Sequence, residues 1–190
     1  MEALLVSIGT VAVAEMGDRT QLLSLMLAAH FRQPWSILAG VLVATLANHA
    51  MAGLVGVWFG GFLTAPMLDA VVGASMLAMA LWTLRADRLE EGAAVTRRGA
   101  FLATLIAFFV AEIGDKTQVA TVALAAGYSS VVAVVAGTTT GMLAANLPVV
   151  FMGKAFADRL PLKAIHLGAA ALFAALGAMF IAQAVARLGG

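Results

Sequence analysis

The segments Ala14 to Gln21 (AEMGDRTQ) and Ala111 to Gln118 (AEIGDKTQ) each set two carboxylates, one cation and one amide inside a long apolar stretch. An ionised side chain at bilayer depth costs at least about 2.5 to 3.5 kcal/mol, so six of them need a function or strong partners. The motifs contain neither Cys nor His. Carboxylate and amide oxygens suit hard cations such as Mg²⁺, Ca²⁺ and Mn²⁺, whereas Zn²⁺ or Cu⁺ would be expected to show Cys, Met or His at ligand spacing. Four carboxylates against two basic residues leave the paired motifs at −2. One divalent cation or two protons would neutralise that charge, so cation and protons are expected to compete for one cluster, which is the chemistry of antiport.

In an unbroken helix, at about 100° per residue, Asp18 lies about 60° to one side of Glu15 and Arg19 about 40° to the other, on one face. Gln21 falls at the edge of that face, and Glu112, Asp115, Lys116 and Gln118 repeat the pattern. The expected metal ligands are Glu15, Asp18, Gln21, Glu112, Asp115 and Gln118. Asn48 and Asn146, at matching places on the second and fifth helices, either complete the shell or form interhelical hydrogen bonds. Arg19 and Lys116 are read as gating or charge-balancing groups, with an i, i+4 pair to the preceding Glu as the plainer alternative. Thr20 and Thr117 point about 140° from the Glu residues and are secondary polar positions, their hydroxyls free to bond back to their own helix. Gly17 and Gly114 are assigned to close helix packing ahead of exposing a backbone carbonyl. His30, His49 and His166 lack metal-ligand spacing and read as structural or solvated, with only His49, beside Asn48, inviting closer inspection. The ten Met residues are taken as packing.

The elements that must position these groups are membrane helices. Hydrophobic residues make up 63% of the chain and charged ones 11%, against about 25% charged in a soluble domain. Cysteine is absent, which excludes disulfides and thiolate sites, and a net charge of +1 gives no reason to expect a nucleic-acid partner. Apolar stretches predict helices at about 3–29, 35–61, 66–86, 99–127, 130–155 and 161–187. The first, without a basic leader or clean cleavage site, is expected to be retained. Glu15 and Glu112 lie 97 residues apart, and Val13 to Gln21 matches Val110 to Gln118 at seven of nine positions. The correspondence continues from Gly40 to Gly137, from Asn48 to Asn146 after a one-residue slip, and from Pro66 and Gly73 to Pro161 and Gly168. Three helices per repeat reverse the second copy in the membrane. The expected fold is therefore an all-α integral membrane protein: six transmembrane helices in two inverted-topology three-helix repeats, 1–86 and 99–190, with a cytoplasmic linker at 87–98 and alternating access.

Arg32, Arg85, Arg88, Arg97, Arg98, Lys154, Arg159 and Lys163 fall in loops on one side, against Arg187 on the other. The positive-inside rule makes the first side cytoplasmic and puts both termini outside. Trp35, Trp58 and Trp82, near helix ends, form an interfacial belt, and Pro148 is expected to loosen the fifth helix by freeing the Ala144 carbonyl.

Glu-x-Gly-Asp-[Lys/Arg]-[Thr/Ser], present at Glu15 to Thr20 and again at Glu112 to Thr117, resembles the Gdt-type family of cation/proton antiporters. The resemblance covers both repeats and implies Mn²⁺ or Ca²⁺ transport against protons. Its bacterial branch implies a manganese exporter of the inner membrane, with the transported ion as the expected ligand and no cofactor. The residues alone name only a hard divalent cation and leave Mn²⁺ against Ca²⁺ open. Rival readings are an exporter of basic amino acids and a Mg²⁺-dependent membrane enzyme acting on a lipid diphosphate. The paired carboxylates at mid-depth favour an inorganic ion over both, and no enzymatic activity is expected. A homodimer through the small-residue faces of the third and sixth helices is a further expectation, alongside their use in packing within the chain.

Overall fold

A computed structural model describes residues 1–84, 99–153 and 161–189. All regular structure among them is helical: α1 (Glu2–Glu15), α2 (Arg19–Phe31), α3 (Pro34–Gly60), α4 (Ala65–Thr83), α5 (Gly99–Glu112), α6 (Lys116–Gly127), α7 (Val131–Met152) and α8 (Leu162–Gly189). The linker expected at 87–98, with Arg85, and the basic residues Lys154 and Arg159 lie outside the described residues. Helices α3, α4, α7 and α8 are long and apolar enough to cross a membrane. Prolines open α3 and α4, where a missing N–H costs nothing. Trp35, Trp58 and Trp82 occupy terminal turns with exposed rings, and α7 continues as helix through Pro148.

The segments expected as continuous helices over 3–29 and 99–127 are each broken at the motif. Helix α1 stops at Glu15 and α2 begins after Asp18; α5 stops at Glu112 and α6 begins after Asp115. Gly17 and Gly114 supply the reversal with φ of 80° and 73°, in the left-handed region that a Cβ disfavours. A Cβ on Gly114 would meet nothing within 4 Å. At Gly114, then, the requirement is backbone conformation, and the packing role expected from sequence does not hold.

Packing exchanges elements between the two halves. Helix α1 lies on α7 and α5 lies on α3, and a close approach in each pair is made at an equivalent glycine. A Cβ on Gly137 would lie 2.6 Å from the Leu4 carbonyl and 2.7 Å from the Ser7 Cβ, while one on Gly40 would lie 2.8 Å from both the Phe101 carbonyl and the Thr104 Cβ. Phe101 and Thr104 stand 97 residues after Leu4 and Ser7, as Gly137 stands after Gly40. Helices α4 and α8 run antiparallel: Asp69 near the start of α4 pairs with Arg187 near the end of α8 at 3.2 Å, and Gly73 faces Gly177. These two small residues are thus used within the chain. Two buried clusters flank the breaks, one centred on Met76, Leu124, Phe173 and Phe180, the other on Val11, Ile37, Val41, Phe108 and Met142.

Candidate cation site

The helix breaks change the geometry expected of the motifs. Glu15 and Glu112 end their helices, while Asp18 and Asp115 become the N-cap residues of the next ones, with extended backbone. A carboxylate suits that position because it meets the unsatisfied N–H groups and positive end of the helix. The Asp18 Oδ1 accepts the Arg19 N–H at 2.8 Å. Gln21 and Gln118 brace the two loops identically: each Oε1 accepts the N–H of the glycine four residues earlier, at 2.8 Å. The amide nitrogen of Gln21 also reaches across to the Ala145 carbonyl at 2.9 Å. The expected single helical face is absent because no helix spans the motif.

The breaks bring the two copies into contact. Oxygens of Glu15, Asp18 and Asp115 lie within 4.8 Å of one another, and all three side chains are buried. The basic residues cross over: Arg19 reaches Asp115 at 3.0 Å and Lys116 reaches Asp18 at 3.1 Å. The alternative of i, i+4 pairs within each copy is not what forms, since Glu and the following cation now sit on different helices. The two pairs differ in solvation, with the Arg19 side chain 31% exposed and that of Lys116 1% exposed. Arg19 also donates to the Ala111 carbonyl at 2.8 Å.

The fourth carboxylate has a different neighbour. Glu112 is fully buried and faces His49 Nε2 at 3.4 Å. Asn146 donates to Glu15 Oε1 at 3.4 Å and to the Met142 carbonyl at 3.0 Å. Its twin Asn48 donates instead to the Phe109 carbonyl at 3.1 Å, one turn before Glu112, leaving its buried Oδ1 without a hydrogen bond. Thr117 is buried and its hydroxyl stands 3.4 Å from Asp115 Oδ2, not bonded back to its own helix, because α6 has only just begun. Thr20 is equally buried, and its hydroxyl has no hydrogen-bond partner.

Two side chains at the site were not among the residues singled out as ligands. Ser24 donates to Asn146 Oδ1 at 2.6 Å and so orients the amide that meets Glu15; its position three residues after Gln21 on one helical face was the available signal. The second is His49, whose signal in the sequence is its place directly after Asn48.

Buried carboxylates from two broken helices, crossed by basic residues and held among long apolar spans, define a helical membrane transporter of cations. The chain matches the family described as "Divalent cation/proton antiporter GDT1" over residues 3–91 and 100–187, and it belongs to that family. It is 50% identical over 174 residues, 91% of this chain and 87% of the relative, to a protein of Vibrio cholerae serotype O1 (strain ATCC 39541 / Classical Ogawa 395 / O395) named "Putative manganese exporter". No solved structure matches. The resemblance drawn from the doubled motif is thereby shown.

Proposed function

We propose that the protein exports a divalent cation, Mn²⁺ first and Ca²⁺ as the alternative, in exchange for protons, at one site built jointly by both motif copies. The observation that carries this reading is the crossing of Arg19 to Asp115 and Lys116 to Asp18 around the buried carboxylates. With Glu112 included, the carboxylates and the two cations sum to −2, which one divalent ion or two protons neutralise. Metal–oxygen bonds of about 2.3 to 2.6 Å, as for Ca²⁺, put opposite ligands up to about 5 Å apart, so oxygens within 4.8 Å of one another already fit around a single ion. Glu15, Asp18 and Asp115 would hold it directly. Asn146 positions Glu15, and Gln21 and Gln118 hold the loops that carry the aspartates. Arg19 and Lys116 neutralise the aspartates until the ion displaces them.

The reading includes six spans in two inverted repeats. At about 1.5 Å per residue, the 14 and 13 helical residues of α1 and α2 laid end to end rise about 40 Å, enough for a bilayer core of about 30 Å. Helices α5 and α6 then form the matching broken span. Antiparallel α4 and α8, with the exchanged contacts of Gly40 and Gly137, support a two-fold relation in the membrane plane. Alternating access follows if the halves rock about the carboxylate cluster. The positive-inside count supports both termini outside, and kinship with the bacterial branch of the family supports the inner membrane.

The test is flux in proteoliposomes holding a pH-sensitive dye, with Mn²⁺, Ca²⁺ or Mg²⁺ added on one side. Antiport predicts saturable, cation-driven proton movement, with the relative rates naming the ion. Metal flux that leaves the dye unchanged would replace this reading by a channel or uniporter.

A further inference from the structure

We infer that His49 is a ligand of the transported cation, the nitrogen donor through which the site prefers a first-row transition ion to Ca²⁺ or Mg²⁺. The inference rests on the antiport site proposed above and adds to it a residue outside both motifs. His49 is completely buried on α3. Its Nδ1 makes no hydrogen bond, and its Nε2 stands 3.4 Å from Glu112 Oε2 without hydrogen-bond geometry. Neither carboxylate oxygen of Glu112 is hydrogen-bonded. A buried polar group left in that condition costs about 1 to 3 kcal/mol, so an imidazole and a carboxylate side by side without satisfied bonds call for a ligand between or beside them.

The Glu15 side of the site, lined by α7 of the second half, has no such group. Asn146 is the twin of Asn48, and the residue after it is Leu147, which is 46% exposed. The imidazole is therefore an addition to the Glu112 side alone. Glu112 stands beside the cluster through the loop that carries Asp115, whose N–H donates to the Glu112 carbonyl at 3.1 Å, so a small shift of this pair would bring it to an ion held by Glu15, Asp18 and Asp115. Oxygen-only sites suit Ca²⁺ and Mg²⁺, whereas imidazole nitrogen strengthens binding along the series from Mn²⁺ through Fe²⁺ and Co²⁺. A single nitrogen in an otherwise oxygen shell thus tilts the site away from Ca²⁺ and Mg²⁺ and toward first-row transition ions, among which Mn²⁺ gains least.

Two readouts on the purified full-length protein test this. With Mn²⁺ bound to wild type in detergent, pulsed electron paramagnetic resonance should show ¹⁴N modulation from a coordinated imidazole, lost in His49→Gln. In proteoliposomes, His49→Gln should lower the ratio of Mn²⁺ to Ca²⁺ flux by about tenfold, equivalent to about 1.4 kcal/mol of discrimination. Wild-type spectra without nitrogen coupling overturn the assignment even if the variant does not fold, and so does an unchanged flux ratio in a variant that transports. Absence of any divalent flux in wild type would instead reject the antiport reading itself and this inference with it.

Discussion

The two motif copies have nearly the same letters and the same backbone, but they do not have the same surroundings. Both break a helix at glycine with positive φ, both brace the loop with glutamine, and both send their cation to the other copy's aspartate. Around the glutamates they diverge: Glu15 receives an amide N–H from Asn146, itself held by Ser24, while Glu112 faces the imidazole of His49. The cations diverge too, since Lys116 is sealed in protein and Arg19 keeps contact with solvent. The repeat thus sets the scaffold of the site, and helices α3 and α7, through single side chains, make its halves chemically unequal.

That inequality can be broken or sharpened by substitution. The largest effect is expected at the sealed pair: Asp18→Asn removes a carboxylate from a buried ammonium and should cost about 3 to 5 kcal/mol in detergent unfolding. Asp115→Asn should cost about 1 to 2 kcal/mol, because Arg19 keeps solvent and the Ala111 carbonyl. Equal costs would mean that the difference in exposure has no energetic content. Next comes ligand binding: Mn²⁺ at a hundred times its dissociation constant should stabilise wild type by about 2.7 kcal/mol, a shift in melting temperature that Glu15→Gln should remove.

Smaller effects test where the halves are alike. Gly40→Ala and Gly137→Ala should each cost about 1 to 3 kcal/mol by overpacking equivalent helix contacts, and a large disparity between them in thermal unfolding would undo the exchanged packing. Gly17→Ala and Gly114→Ala should each cost about 1 to 2 kcal/mol through the left-handed φ alone. Matching losses in the two variants support equivalent breaks, whereas a cost at only one position shows that the loops differ.

Much of this was legible in the sequence. The apolar stretches marked the four long helices to within about three residues at each end, and Gly127 was placed correctly as the end of a helix. The doubled motif picked out the residues that meet at the centre. The breaks were missed because uniformly apolar flanks carry no periodic signal that fails at the motif; Gly followed by Asp, a stop and then a cap, was the overlooked sign. The crossed ion pairs were beyond reach, since 98 residues separate Asp18 from Lys116 and 96 separate Arg19 from Asp115 and only the fold decides between near and far partners. His49 was discounted for lack of ligand spacing, a rule that holds within one helix and says nothing of a glutamate arriving from another.

The most direct test of a site shared by both copies is the number of divalent ions bound per chain, measured by equilibrium dialysis of the detergent-solubilised protein with Mn²⁺. A joint site predicts one ion per chain in wild type and none in Glu15→Gln or in Asp115→Asn, although each variant alters only one copy of the motif. Two ions in wild type, with one surviving in each variant, would contradict it and leave each repeat with a site of its own.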